Sequence, residues 1–245
     1  MLADRSQGYV VSTIGFRAAL SNNGATEETS SRNGSRVYPR MFPQPVINFL
    51  RPCARATSRL LWQARWRGTE NIPAKGGLII AANHQTYIDP FWVGAPVNRP
   101  VRFLAWDEAF GWPVVGKAMR LLGAWPLQLE KSDPTAIKRS LQWLRDGGAV
   151  VMFPEGGRGH PDGSLRRFKP GAVRMALESG VPILPVTIRG GERVWPNTMR
   201  VPRVRRHVEV IYHPLIKVEQ LENEDVRECA HRESERLSEI VASAL

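Results

Sequence analysis

The sequence is poor in cysteine, in long apolar runs and in the signatures of several common chemistries. Its only cysteines, Cys53 and Cys229, lie far apart and in no CxxC pattern. That spacing excludes a zinc ribbon and a disulfide framework and favours a reducing compartment. The longest apolar stretches, 78–82, 149–153 and 181–188, fall well short of the roughly 18–20 residues a membrane-spanning helix needs. The first residues lack the basic patch, apolar run and small-residue cleavage site of a signal peptide. HExxH, GxSxG, GxGxxG and the Walker pattern are all missing, and neither cysteine sits in a nucleophile context.

What is present is positive charge on an otherwise ordinary globular composition. Across 245 residues, 34 Lys and Arg face 23 Asp and Glu, a formal charge of +11, while 42% of residues are hydrophobic. The chain is long enough for one large domain with a sizeable core. Its charge points to a polyanionic partner: nucleic acid, an anionic membrane surface or a phosphorylated substrate.

Three regions follow one another. Residues 1–40 are expected to be a disordered tail, because 21–35 is Ser, Asn, Gly, Thr and charge without apolar periodicity. Residues 41–67 are expected to be helical, with Val46, Leu50, Cys53, Ala54, Leu60, Leu61 and Ala64 on one side and Arg51, Arg55 and Arg59 on the other. No acidic residue occurs from Met41 to Thr69, and Pro52 marks either a first turn or a break. Two readings stay open. Either the apolar side lies on an anionic membrane, or it packs on the core and leaves the arginines to solvent.

From residue 68 to 245 strands and helices alternate. Strands are expected at 77–82, 101–105, 125–129, 149–153, 182–188 and 207–212. Helices are expected after Asp89-Pro90, over 107–121, from Asp133-Pro134 to Gly147, over 171–179, and from Asn223 onward. The alternation predicts an α/β fold with a mixed, mostly parallel sheet flanked by helices, preceded by the N-terminal amphipathic segment. The two prolines of Val181-Pro182-Ile183-Leu184-Pro185-Val186 place that strand at an edge or a bulge.

Two loops directly after apolar strands carry chemistry. In Asn83-His84-Gln85-Thr86-Tyr87-Ile88-Asp89, a histidine sits five residues before a carboxylate at a strand end, where ligands gather in open α/β sheets. His84 then serves as a base held by Asp89, or else Asp89 only caps a helix and His84 is a satisfied loop histidine. In Phe153-Pro154-Glu155-Gly156-Gly157-Arg158-Gly159, three glycines let backbone N–H groups approach an anion and Arg158 adds charge. Glu155 there suits orienting a cation or a substrate hydroxyl; the alternative is a plain Gly-rich turn. Arg166, Arg167 and Lys169 precede a helix start, either flanking an anion or as surface charge.

Together, in this order, these segments resemble the glycerolipid acyltransferase superfamily typified by lysophosphatidate acyltransferase. Asn83, His84 and Asp89 match its NHxxxxD block. Phe153, Pro154, Glu155, Gly156 and Arg158 match FPEGTRS, with Gly157 where Thr is common. Val181, Pro182, Pro185 and Val186 match its VPxxPV block. The similarity covers about residues 60–215. The second block departs: in Gly123-Ala124-Trp125-Pro126-Leu127-Gln128-Leu129-Glu130-Lys131, Leu129 stands where the family places a phosphate-binding arginine, and Lys131 is the substitute.

The resemblance implies direct acyl transfer from acyl-CoA or acyl carrier protein to a lysophospholipid hydroxyl, with 1-acyl-sn-glycerol-3-phosphate as acceptor. His84 and Asp89 would be catalytic, and Glu155, Gly156, Gly157, Arg158, Lys131 and Lys169 would bind substrate. It implies no metal and no resident cofactor, an anionic membrane surface as partner, and peripheral or monotopic attachment to a cytoplasmic membrane face. Glycerol 3-phosphate and lyso-ornithine lipid are the alternative acceptors. A non-catalytic lipid-binding module is opposed by the intact His84 and Asp89. A nucleic-acid binder is opposed by Trp62, Trp66, Trp92, Trp106 and Trp112, which are scattered through helices rather than interleaved with the basic residues.

Overall fold

The computed structural model describes residues 41–128, 133–196 and 198–245. Residues 1–40, expected to be a disordered tail, lie outside the described residues, as does the end of the strand expected at 125–129.

Seven strands form one sheet in the order β1-β7-β6-β2-β5-β3-β4. They are β1 (Arg65–Arg67), β2 (Leu78–Ala82), β3 (Val101–Trp106), β4 (Ala124–Leu127), β5 (Ala149–Met152), β6 (Ile183–Arg189) and β7 (Glu209–Tyr212). All neighbours run parallel except β6 and β7. The mixed, mostly parallel α/β sheet expected from the sequence is therefore present. Parallel strands are covered on both faces, which is why β2 is apolar at every position and buried throughout. Leu78, Ile80 and Ala82 pack with Trp62 and Trp92 in the main core cluster. These two tryptophans come from α1 (Gln44–Trp62) and α2 (Asp89–Gly94). Helices α4 (Pro134–Arg145), α5 (Gly171–Ser179) and α7 (Val226–Ala242) pack in series, α5 touching both of the others.

Strand β2 sits between β5 and β6, the two loops after β2 and β5 emerging side by side at the same sheet edge. This is the reversal of strand order at which open α/β sheets gather ligands.

Several expectations are corrected. The helix expected over 107–121 is a 3-10 turn at Asp107–Gly111 followed by α3 (Pro113–Leu121). Pro113 has no N–H to continue a helix and holds Trp112 extended at φ −75°, ψ 123°. The helix expected from Asn223 starts at Val226, because Asn223 is left-handed (φ 65°) and Asp225 and Glu228 form a capping box. The strand with two prolines is central rather than an edge. Its Pro185 is tolerated because it faces His213, one residue past the end of β7, where the pair keeps one bond, from the His213 N–H to the Pro185 carbonyl, and loses only the terminal one. The helical segment 41–67 ends in strand β1, which pairs with β7.

Which side of α1 faces inward, left open by the sequence, is given by the burial of its residues. Ile47, Ser58 and Trp62 are its buried residues, and Arg51 and Arg55 are half-buried beside them. Arg51 donates to the Arg99 carbonyl (2.6 Å), while the Arg55 and Arg59 guanidiniums lie over the Trp66 ring at 5.9 and 5.6 Å. Val46, Phe49, Leu50, Cys53 and Leu60 face outward instead. The arginines cover an aromatic surface with their guanidinium planes, while Leu61 and Ala64 of the expected apolar side turn into the protein and the remainder of that side stays outward.

Candidate active site

Strand β2 ends at Ala82, and the chain is locked at once. Asn83 is fully buried, its amide donating to the Ile188 carbonyl (2.9 Å) and accepting from the Ile188 N–H (2.6 Å) of β6. This two-way bond fixes where His84 leaves the sheet.

His84 Nδ1 lies 2.9 Å from Asp89 Oδ2. Asp89 is fully buried, and its Oδ2 also accepts from the backbone N–H of Gln85 (2.5 Å) and Thr86 (2.7 Å), while Oδ1 accepts from Thr86 Oγ1 (2.7 Å). The helix-cap alternative is thereby corrected: Asp89 is the first residue of α2, and its carboxylate bonds backward to the loop and to His84. A carboxylate only accepts, so Nδ1 carries the proton and Nε2 is the ring's basic atom. The Phe153 ring stacks on the imidazole at 4.2 Å and 24°. Position, tautomer and ring plane of His84 are all set before any substrate arrives.

The loop after β5 closes over this dyad. Gly159 N–H donates to the His84 carbonyl (2.6 Å), tying the two loops together. Glu155, expected in the acceptor pocket, is buried, with Oε1 accepting from His84 N–H (2.7 Å) and Oε2 from Arg166 N–H (2.8 Å). Burial pushes its carboxyl pKa up, and the two amide bonds pull it partly back. Glu155 thus fastens the His84 and Arg166 backbones, with both oxygens occupied by amides.

Gly156 has φ +69°, and a Cβ there would stand 2.7 Å from Lys169 Nζ, so glycine is what lets the ammonium lie against the loop. Arg166 Nη1 is near Gly157 in the same way, 3.7 Å from where its Cβ would be. The Arg158 guanidinium lies over the Tyr87 ring at 4.1 Å, and Tyr87 packs edge-on to Trp195 at 5.3 Å. Among the described residues Arg158 has no carboxylate partner, and its Nη1 is buried without a hydrogen bond. An aromatic face orients this cation without neutralising it. Arg167, expected beside the others, instead lies 3.9 Å from Glu235 at the surface. Lys131 and Leu129 lie outside the described residues.

Sequence reasoning missed the roles of Tyr87 and Trp195. Tyr87 stood inside the His84–Asp89 run, but nothing local marked Trp195 as its neighbour. Among the described residues no group of three or more His, Cys, Asp or Glu is arranged to hold a metal ion.

A family model described as Acyltransferase matches residues 63–189, just over half of the chain. The chain belongs to the acyltransferase family. A chloroplastic 1-acyl-sn-glycerol-3-phosphate acyltransferase of Brassica napus is 31% identical over 150 residues, 60% of this chain and 43% of that protein. The enzyme of the same name from Borreliella burgdorferi is 30% identical over 176 residues, 71% of this chain and 66% of that one. The chain thus spans less than two thirds of either relative. The crystal structure of the 1-acyl-sn-glycerophosphate acyltransferase from Thermotoga maritima superposes with a TM-score of 0.65 at 25% identity, covering 81% of this chain and 78% of that one. These likenesses support membership of the glycerolipid acyltransferase superfamily.

Proposed function

We propose that the protein transfers a fatty acyl group from acyl-CoA or acyl carrier protein to the free hydroxyl of 1-acyl-sn-glycerol-3-phosphate, giving phosphatidic acid. The observation that carries this reading is the His84–Asp89 dyad, with Nδ1 bound to a buried carboxylate, together with an Arg158 that no acid among the described residues neutralises.

In this scheme His84 Nε2 takes the proton of the acceptor hydroxyl as its oxygen attacks the thioester carbonyl. Asp89 holds the ring and stabilises the imidazolium that forms. The tetrahedral intermediate collapses, the C–S bond breaks, and the thiolate leaves with the proton from His84. Arg158 and Lys169 meet the acceptor's phosphate. The reaction needs no group beyond the thioester donor.

A membrane surface as the site of reaction is supported by where the exposed apolar residues lie. Phe49 (70% exposed) and Leu60 (80%) lie on the outer side of α1, and Val114 (81%), with Val115 and Trp112, lies at the start of α3, next to the C-terminal end of β3. Among the described residues no helix is long and apolar enough to cross a membrane. Apolar stripes of this kind lie in the interface. We place the attachment at the cytoplasmic face.

The acceptor is tested by supplying each donor with lysophosphatidate, glycerol 3-phosphate and lyso-ornithine lipid in turn. Lysophosphatidate should be the best acceptor. A charge-assisted hydrogen bond contributes roughly 1.5–3 kcal/mol, so Arg158→Ala should lower acceptor kcat/KM by about ten- to hundredfold and leave the donor KM unchanged. Unchanged acceptor kinetics would transfer the assignment to an acceptor without a phosphate.

A further inference from the structure

One cluster of positive charge lies where neither the catalytic loops nor α1 uses it. From Val194 to Val208 there is no acidic residue, and Arg200, Arg203, Arg205 and Arg206 fall within seven positions. All four side chains are exposed, and among the described residues none is paired with a carboxylate. Val201 (66% exposed) and Val204 (52%) stand between them in solvent.

The segment is pinned along its backbone. Arg203 N–H donates to the Val194 carbonyl (2.8 Å), and the Arg203 carbonyl accepts from Trp62 Nε1 (2.8 Å). Arg205, left-handed at φ 56°, donates its N–H to the Leu61 carbonyl (2.6 Å), and His207 Nδ1 lies 2.9 Å from Gln63 Oε1. These bonds fasten it to the C-terminal end of α1, next to the exposed Leu60.

We propose that residues 200–206 form the contact through which the protein recognises anionic phospholipid headgroups, the valines entering the interface and the guanidiniums meeting the phosphates. The proposal rests on the membrane part of the reading above and assigns its charge-sensing element. Four unpaired like charges in seven residues repel one another, and an anionic surface relieves that repulsion. The arginines of α1 are tied to other parts of the protein, Arg51 by the Arg99 carbonyl and Arg55 and Arg59 by the Trp66 ring, so they add to an anionic contact without being free to follow it. Nucleic acid fits poorly, since valines rather than stacking aromatics separate the cations. A bilayer receives Leu60, Val201, Val204 and the apolar stripe of α1 together with the cations, which an acidic protein helix laid on the loop alone does not.

The test is sedimentation of the full chain with phosphatidylcholine vesicles, with and without phosphatidylglycerol, at several salt concentrations. Each basic residue at an anionic surface strengthens binding by about fivefold. Replacing Arg200, Arg203, Arg205 and Arg206 together with Gln should therefore weaken binding to the anionic vesicles by on the order of a hundredfold or more and flatten its salt dependence. Binding to pure phosphatidylcholine, and transfer from acyl-CoA to a detergent-dispersed acceptor, should stay within about twofold of wild type. The same four positions changed to Lys should restore most of the anionic binding, which a misfolded variant does not do. Unchanged anionic binding in the Gln variant would overturn the proposal. So would a loss confined to reactions using acyl carrier protein in detergent, which would assign the loop to that acidic donor. Because vesicle binding is read without catalysis, a wild type inactive on every acceptor would refute the acyl-transfer reading and leave this test standing.

Discussion

At the residue scale, side chains around His84 divide into those that face substrate and those that hold the ones that do. Glu155 belongs to the second kind, both of its oxygens being taken by backbone amides. In Glu155→Gln an amide NH₂ would oppose one of those N–H donors. Leaving a buried donor unmatched costs about 1–3 kcal/mol. Thermal unfolding should show that loss, and acyl transfer should fall with it because the His84 backbone is released. A variant with normal thermal stability and selectively weakened acceptor binding would make Glu155 a substrate contact instead. Tyr87 holds Arg158 through its ring face. Tyr87→Leu removes an interaction of roughly 0.5–2 kcal/mol and should raise the acceptor KM by about two- to thirtyfold with the donor KM unmoved. Tyr87→Phe keeps the ring and should behave like wild type; equal defects in the two variants would assign the effect to the hydroxyl. The spacing of His84 and Asp89 allowed a base and its partner at one strand end or a mere helix cap, and the resemblance of the ordered blocks to the family is what favoured the pair. The pairing of Tyr87 with Trp195 was not legible, since it is made between segments far apart in the chain.

At the scale of single elements, the sequence showed that α1 is amphipathic but not which side faces in. Periodicity separates two faces, and burying the apolar one is the usual outcome. Here Trp66 and the Arg99 carbonyl give three arginines partners on the protein, a fact of tertiary contact that periodicity does not carry. The consequence is testable. Fully burying a side chain such as Phe or Leu is worth about 1.5–3 kcal/mol, so Phe49→Ser combined with Leu60→Ser should weaken vesicle flotation by one to several orders of magnitude. It should leave the melting temperature near wild type, because neither side chain packs on the core. A large drop in melting temperature would show that the stripe is part of the core. In β6 likewise, Pro185 was visible but its tolerance was not. It depends on β7 ending at Tyr212, so that Pro185 faces His213 just beyond the strand.

At the scale of the whole molecule, the alternation of apolar runs and caps was enough to read a mostly parallel α/β sheet, because strands buried on both faces are continuous in hydrophobicity. The strand order was not legible, and it is the strand order that brings the loops after β2 and β5 together. The charge of +11 and the arginine run at 200–206 were visible in the sequence; that the run is fastened to the C-terminal end of α1 required the fold. The reading proposed above, an enzyme that works on an anionic lipid at a membrane surface, joins the sheet, the charge and the exposed apolar residues in one account. The measurement that tests this most directly is the rate of phosphatidic acid formation from lysophosphatidate and acyl-CoA or acyl carrier protein by wild type and His84→Ala, with circular dichroism confirming that both are folded. Losing a positioned general base should slow transfer by about 10² to 10⁴. A folded His84→Ala variant within a few-fold of wild type would contradict the account.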